Sequence, residues 1–325
     1  MSDVLTRPSP IDLPAPLHLP PGPQVRVGIS GWTYEPWRGT FYPAGLPHRA
    51  ELAYASRWVA SVEINGTFYG LQHPKDFQSW RELTPPDFRF SVKGSRYITH
   101  FRRLEDVRVP VANFLASGVL ALGDKLGPLL WQLPPWFRYD AERIETFLGL
   151  LPRDQATAAL VGTEHDTRVE GRSFLDVVGA LPLRHAMEVR HPSFAEPAFI
   201  EQLRRHNVAL VVADAAGRWP TLEDVTADFV YARLHGDQEL YASGYSDAAL
   251  DRWAARFAAW RSGSEPDDAR RVSSVPPAPA PAGRDLYVYF DNDAKVHAPF
   301  DAAAMAARLG VSRETRERPG TQVAR

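Results

Sequence analysis

The sequence of 325 residues contains no cysteine. That absence excludes structural disulfides, iron–sulfur clusters, thiolate zinc sites and cysteine nucleophiles together. An excess of either charge is also missing: 37 basic against 39 acidic residues leave a formal net charge of -2. This balance excludes a chain whose main role is bulk electrostatic binding of nucleic acid, and leaves room for a local basic cleft. Long hydrophobic runs are absent too. The longest, Val111 to Leu122, is interrupted by Asn113 and Ser117 and is too short to span a bilayer. The sequence starts MSDVLTRPSP, without a basic segment leading into an apolar one, so no signal peptide is expected. The expected location is the cytoplasm, with no membrane partner.

What is present reads as a globular protein, 44% hydrophobic and 23% charged. A chain of this size buries roughly three quarters of its unfolded surface, enough for a sizeable core. Proline is the abundant residue, 29 of 325, against a usual level of about 5%. Seven prolines fall in residues 1–23 and five in 264–284, and both segments lack periodic apolar residues. Proline removes backbone donors, so 1–23 is expected to be a disordered arm and 264–284 a disordered loop. A disordered tail is expected over 311–325. One domain remains, over 24–310.

Within it, eight runs rich in β-branched and apolar residues read as strands: 25–30, 61–69, 89–95, 128–134, 185–191, 209–214, 229–236 and 285–292. Helical patterns separate most of them. Asp140 can cap a helix carrying Ile144, Phe147, Leu148 and Leu151 on one face, and Ser246 one carrying Leu250, Trp253, Phe257 and Trp260. Phe77, Trp80 and Arg81 mark a shorter helix. The span 152–184 reads as an enlarged connection, with Ala156–Val161 either strand or helix and 172–180 helical. Eight strands alternating with helices predict an α/β fold, a (β/α)8 barrel of the TIM type. An open doubly wound sheet would need a glycine-rich phosphate loop after an early strand. Here Gly28-Ile29-Ser30-Gly31 is followed by Trp32 and Pro36 instead of a helix start.

GISGWTYEPWRGTFYP (28–43), VEINGTFYG (62–70), FRFSVKGSRYITHFRRL (88–104), LGDKLGPLLWQLPP (122–135), EVRHPSF (188–194), ARLHG (232–236) with YSDAAL (245–250), and YVYFDND (287–293) resemble the YecE-like family, domain of unknown function 72. The match runs from about residue 25 to 309. The resemblance implies a TIM-type barrel and brings no catalytic residues with it. Some members end the last strand with an Asn-Asn pair; here the positions read Asp291 and Asn292.

In such barrels sites form at the C-terminal strand ends. Strand two offers Glu63 and Asn65 there, strand three Lys93, strand four Gln132, and strand five Glu188 and Arg190. Strand six offers Asp214, strand seven Arg233 and His235, and strand eight Asp291 and Asn292. A structural account pairs Glu63 with Lys93, and Glu188 with Arg190 or Arg233. A ring this polar at the functional end is better explained by a pocket for a polar ligand. Lys93, Arg190 and Arg233, with Arg96 and His100 in support, suit a phosphate or carboxylate. Glu63 and Glu188 are the expected acid and base, one with a pKa raised by a dry pocket, and His235 is an alternative proton carrier. Trp32 and Tyr34 are the preferred stacking contacts among aromatics that also pack loops.

The expected function is therefore acid/base chemistry on a small anionic molecule or nucleotide. Substrate contacts would come from Asn65, Lys93, Gln132, Arg190, Arg233, Asp291, Asn292, Trp32 and Tyr34. A non-catalytic protein binding nucleic acid or an anionic metabolite is one alternative. A divalent-metal phosphoesterase built on Glu63, Glu188, Asp214, His235 and Asp291 is another, although three cations in the ring compete with a metal. No cofactor is expected otherwise. Ser30 and Ser193 lack a nucleophile-elbow pattern.

Overall fold

A computed structural model describes residues 13–177 and 181–313. Eight parallel strands close into a barrel: β1 (Val25–Ser30), β2 (Ser61–Ile64), β3 (Arg89–Lys93), β4 (Leu126–Gln132), β5 (His185–Glu188), β6 (Val208–Asp214), β7 (Phe229–Leu234) and β8 (Asp285–Phe290). Each pairs with its neighbour in sequence, and β8 pairs with β1 from Val25 opposite Leu286 to Ile29 opposite Phe290. On the other side of β1 the approach of β2 needs Gly28, because a Cβ at this position would lie 2.2 Å from the Ser61 carbonyl oxygen. This is the expected TIM-type barrel.

The helices are α1 (Glu51–Ala55), α2 (Gly66–Tyr69), α3 (Pro74–Leu83), α4 (Arg108–Ala116), α5 (Ala141–Leu150), α6 (Gln155–Gly162), α7 (Pro197–Arg205), α8 (Asp247–Arg261) and α9 (Ala298–Arg308). The expected caps are in place. Asp140 accepts from the Arg143 amide at 3.1 Å and Ser246 from the Ala249 amide at 3.2 Å. The 152–184 connection holds α6, capped by Asp154. Residues 172–177, expected to be helical, run irregularly instead, with the Phe174 amide donating to the Ala116 carbonyl. Positions 178–180 lie outside the described residues. Among those described, no helix is long and apolar enough to cross a membrane.

Two apolar cores result from strand alternation. The larger lies between strands and helices, with Val25, Val27, Ile29, Val62, Leu129, Trp131 and their neighbours. The smaller fills the barrel: Leu130, Ala186, Ala209, Val211, Phe229, Tyr231, Tyr287 and Tyr289. Polarity rises along that interior toward the C-terminal end in steps of two residues. On β7 the order is Phe229, Tyr231, Arg233, and on β8 it is Tyr287, Tyr289, Asp291.

Both proline-rich segments depart from expectation where they are described. In 264–284 the amides of Val272 and Ser273 donate to Asp224 at 2.8 and 2.9 Å, and the Arg270 amide donates to Glu223 at 2.6 Å. Buried acids on the barrel thus satisfy the few amides this loop has, and its prolines need no partner. Of the arm, Leu13, Leu17 and Leu19 pack against the core, and Arg261 donates to the carbonyls of Pro21 and Pro23. Leu17–His18 pairs antiparallel with Ser312–Arg313, which holds the start of the expected tail as well. Residues 1–12 and 314–325, the rest of those two segments, lie outside the described residues.

Candidate functional site

Arg233 stands at the centre of the C-terminal end, fully buried. Its Nε and Nη2 donate to Glu63 at 3.1 and 2.9 Å, and Nη1 donates to Glu188 at 2.7 Å. Nη2 also donates to Asp291 at 2.8 Å and to Ser30 Oγ at 3.1 Å. Three carboxylates from three strands thus share one guanidinium. Only a planar fork of five N–H groups can serve them at once.

Glu63 is saturated. Besides Arg233 it accepts from Ser30 Oγ at 2.8 Å and from the Tyr231 hydroxyl at 2.7 Å, and none of it is exposed. Ser30 ties strand one into this network. Glu188 accepts from Arg190 Nε at 2.7 Å in addition to Arg233. Burial pushes the Glu188 pKa up, but Arg190 and Arg233 outweigh it and hold the carboxyl well below the usual range. Glu188 therefore does not have the raised pKa expected of one of the two glutamates. The pairing of Glu63 with Lys93 is replaced by pairing with Arg233, while Glu188 pairs with both arginines expected for it.

Above this locked layer the polar groups are unsatisfied. Lys93, 9% exposed, has its ammonium 4.5 Å over the Phe68 ring. Among the described residues no carboxylate lies within ion-pair distance of it. Burial and the charge of Arg233 lower its pKa to about 8. Asn65 donates to Ser30 Oγ at 2.8 Å and leaves its own Oδ1 buried without a partner, as Gln132 leaves its Oε1. His235 is fully buried, edge-on to Trp219 and Tyr241. Its Nδ1 lies 3.0 Å from Asp291 Oδ2, off the line of a hydrogen bond, and its Nε2 has no partner. Arg190 stacks 4.1 Å over Trp219. His100 closes one side, its pKa pushed down to about 4 by burial and the nearby Lys93, Arg190 and Arg96 charges.

The opposed carboxyl pair sought in the glutamates sits instead at the end of β8. Arg233 and His235 outweigh burial and keep Asp291 ionised well below the usual carboxylate range. Asp293, beside it and beside Tyr34, is pushed well above that range, first by burial and then by the Asp291 charge. Its Oδ1 is buried with no hydrogen-bond partner. The two neighbouring carboxyls are thus pushed in opposite directions, Asp293 toward the protonated form and Asp291 toward the ionised one. Sequence reasoning missed Asp293, although the two-residue step from Tyr289 through Asp291 reaches it.

Of three further expected contacts, Asn292 and Trp32 fall elsewhere. Asn292 lies on the opposite face, donating to the Ser243 carbonyl and to Asp301. Tyr34 donates to the Ser30 carbonyl at 2.5 Å and borders the mouth, whereas Trp32 packs edge-on against Trp80. Trp32 and Trp80 line a cavity of about 520 Å³ with His48 and Arg49, and this cavity shares Tyr34 and Asn65 with the mouth. The metal set does not assemble as expected. Arg233 occupies the space between Glu63, Glu188 and Asp291, and Asp214 turns outward to accept from Tyr245 and Trp253. Among the described residues no three His, Asp or Glu side chains are grouped to hold a metal ion.

Comparison with known proteins places the chain. Residues 26–323 match the family described as "Protein of unknown function DUF72". UPF0759 protein YecE of Escherichia coli K12 is 31% identical over 113 residues, 35% of this chain and 39% of that protein. UPF0759 protein YunF of Bacillus subtilis is 24% identical over 189 residues, 55% of each. The chain thus spans about half or less of the length of these curated relatives. A DUF72 family protein from Thermotoga maritima superposes with a TM-score of 0.66 at 24% identity, covering 88% of this chain and 98% of that one. One from Enterococcus faecalis gives 0.62 at 17% identity, covering 90% and 97%. These likenesses show the same barrel. With the family match over most of its length, the chain belongs to the DUF72 family of TIM-barrel proteins.

Proposed function

We propose that the protein is an enzyme performing acid/base chemistry on a phosphorylated or carboxylated substrate held at the C-terminal mouth of the barrel. One observation carries the reading: an ammonium without a carboxylate partner stands close to a carboxyl pair whose pKa values are pushed in opposite directions. A buried charge left unpaired by the protein calls for a counter-charge from outside it. Lys93 takes the anionic group, with Arg190 beside it. Asp293 delivers a proton to the leaving atom, and His235, whose Nε2 is free of any hydrogen bond among the described residues, accepts one. Glu63 and Glu188 act through Arg233 as positioning residues. Asn65 Oδ1 and Gln132 Oε1 accept from substrate hydroxyl or amide donors, since each is an acceptor with nothing to accept from in the protein.

A thermal-shift screen of orthophosphate, nucleoside monophosphates, sugar phosphates and dicarboxylates tests this. At least one class should stabilise the protein and lose that effect in Lys93→Met. With the substrate so found, Asp293→Asn should keep binding and lose about a hundredfold or more in turnover. If no anion stabilises the protein, the reading fails. Binding without turnover would make it an anion-binding protein instead.

A further inference from the structure

Among the described residues, five large aromatic side chains are exposed, and four of them lie in one sector of the rim: Tyr69 at 66%, Tyr97 at 43%, Phe101 at 65% and Trp136 at 52%. They belong to the connections after β2, β3 and β4, at the same end as Lys93. Each ring carries a guanidinium. Arg96 lies 5.1 Å over Tyr69 and 5.6 Å over Phe101, Arg103 lies 5.0 Å over Trp136, and Arg168 lies 5.9 Å over Tyr97. Exposed rings interleaved with cations are costly to leave in water unless something covers them.

The charges here are not self-satisfied. The acids in this sector already have partners: Asp106 pairs with Arg102, Glu105 with Arg143, and Asp166 with Arg168. Arg96 and Arg103 have only aromatic partners among the described residues. The loop that presents Arg103 is strained, with Arg103, Leu104 and Asp106 all at positive φ (52°, 66° and 48°). Buried Leu104 and Val107 pin it in that shape. Strain held at an exposed loop by a buried anchor is a mark of function. The rim also connects to the mouth, because Tyr69 packs edge-on against Phe68, and Phe68 carries the Lys93 ammonium on its face.

We propose that this sector is a docking face for a single-stranded nucleic acid, which runs over Trp136, Phe101 and Tyr69 and brings a phosphodiester to Lys93. Free ring faces and guanidinium planes suit unpaired bases, and unpaired cations suit the backbone. A duplex buries its base faces, and a neutral polysaccharide has no use for the cations. That a phosphate reaches Lys93 rests on the function proposed above; the docking face does not.

Fluorescence anisotropy of labelled single-stranded DNA and RNA of about 15 nucleotides, a length matching such sites, tests the proposal on the full chain. The strand should bind more tightly than a duplex of the same sequence and weaken with salt. Trp136→Ala and Phe101→Ala should each lower affinity about tenfold, with melting temperatures unchanged, since both rings are exposed. Arg96→Gln with Arg103→Gln should flatten the salt dependence by roughly 1.4 units of slope. Wild-type affinity in both ring variants, equal binding to heparin, or binding to anionic phosphatidylserine vesicles but not to the strand would each overturn it. The two readings separate cleanly. Strand binding lost while orthophosphate still protects through Lys93 removes the docking face alone. Strand binding intact with no anion effect at Lys93 removes the mouth alone.

Discussion

The two ends of the barrel bury similar charged groups and treat them in opposite ways. At the N-terminal end Arg184, Lys125 and Arg26 all have protein acceptors. Arg184 donates to Asp285 at 2.6 Å and to Asp228 at 3.1 Å, and Lys125 donates to the carbonyls of Arg81 and Thr84 at 2.6 and 2.7 Å. Arg26 is held by Gln24 and the Asp87 carbonyl. At the C-terminal end Arg233 is just as well satisfied, but the layer above it is not. Lys93, His235, Asp293, Asn65 and Gln132 all keep a charge or a buried polar atom without a matched partner. Single buried atoms without a partner occur elsewhere too, on Arg153, Arg204 and Arg284, but each of those guanidiniums keeps another protein acceptor. A fold gains nothing from grouping such atoms, so their clustering at the C-terminal end separates what stabilises the barrel from what it does.

The sharpest way to break that separation is at Arg233. Arg233→Met leaves Glu63, Glu188 and Asp291 buried without their shared cation, and should cost about 3–5 kcal/mol or prevent folding. Urea denaturation of the variant measures this. Arg233→Lys should rescue little, because one ammonium cannot occupy the sites of five directed donors. A variant of near wild-type stability would show that the ring is not a structural layer at all.

Lys93 should behave in the reverse sense, as its ammonium is buried without an ion pair. Its pKa is about 8 in the folded protein against 10.5 ordinarily, so at pH 7 the fold carries a charge it disfavours. Lys93→Met should therefore raise stability, by about 1 kcal/mol after loss of the contact with Phe68, while abolishing protection by anions. Stabilisation and loss of binding together identify a group kept for function. A destabilised Lys93→Met would place it with the N-terminal pairs.

The same residue gives a pH signature with a definite sign. Between about pH 8 and 10.5 the folded lysine is neutral while the unfolded one still holds its proton. The unfolded state then binds more protons, so this group makes stability rise with pH across that window. Anion binding should run the other way and weaken above about pH 8, as the ammonium is lost. Melting curves with and without orthophosphate from pH 7 to 10 show both trends, and Lys93→Met should remove both.

Much of this was legible in the sequence because alternation is a strong signal. Eight apolar runs and the Asp140 and Ser246 caps define the barrel, and two-residue steps bring Glu63, Glu188 and Arg233 to one end. The partners of Glu188 were legible, but the cation that meets Glu63 was not. Glu63 and Lys93 sit on adjacent strands, yet Glu63 reaches across the barrel to Arg233, a choice set by closure and by the Tyr231 hydroxyl beneath it. Asn292 failed as a contact because its position alternates outward, and Asp293 was missed because it lies just past the strand. The proline-rich loop misled for another reason: its order depends on Asp224 and Glu223, nearly fifty residues away in sequence.

The smallest effect belongs to the N-terminal end. Arg184 pairs with Asp228, which is more than half exposed, and with Asp285, mostly covered, while its guanidinium lies 5.1 Å over Phe229. Solvent screening leaves little net stabilisation in the open pair with Asp228, and Asp285 keeps the Gln24 amide at 2.7 Å when the arginine is removed. Arg184→Ala should cost no more than about 1 kcal/mol, partly through the lost ring contact, and urea denaturation resolves it. The same variant should leave anion protection and its pH dependence untouched, because Arg184 starts the strand whose far end carries Glu188 and Arg190. If Arg184→Ala shifts the anion response as Lys93→Met does, the two ends are coupled through β5. Stability and function would then not be separated along the barrel axis.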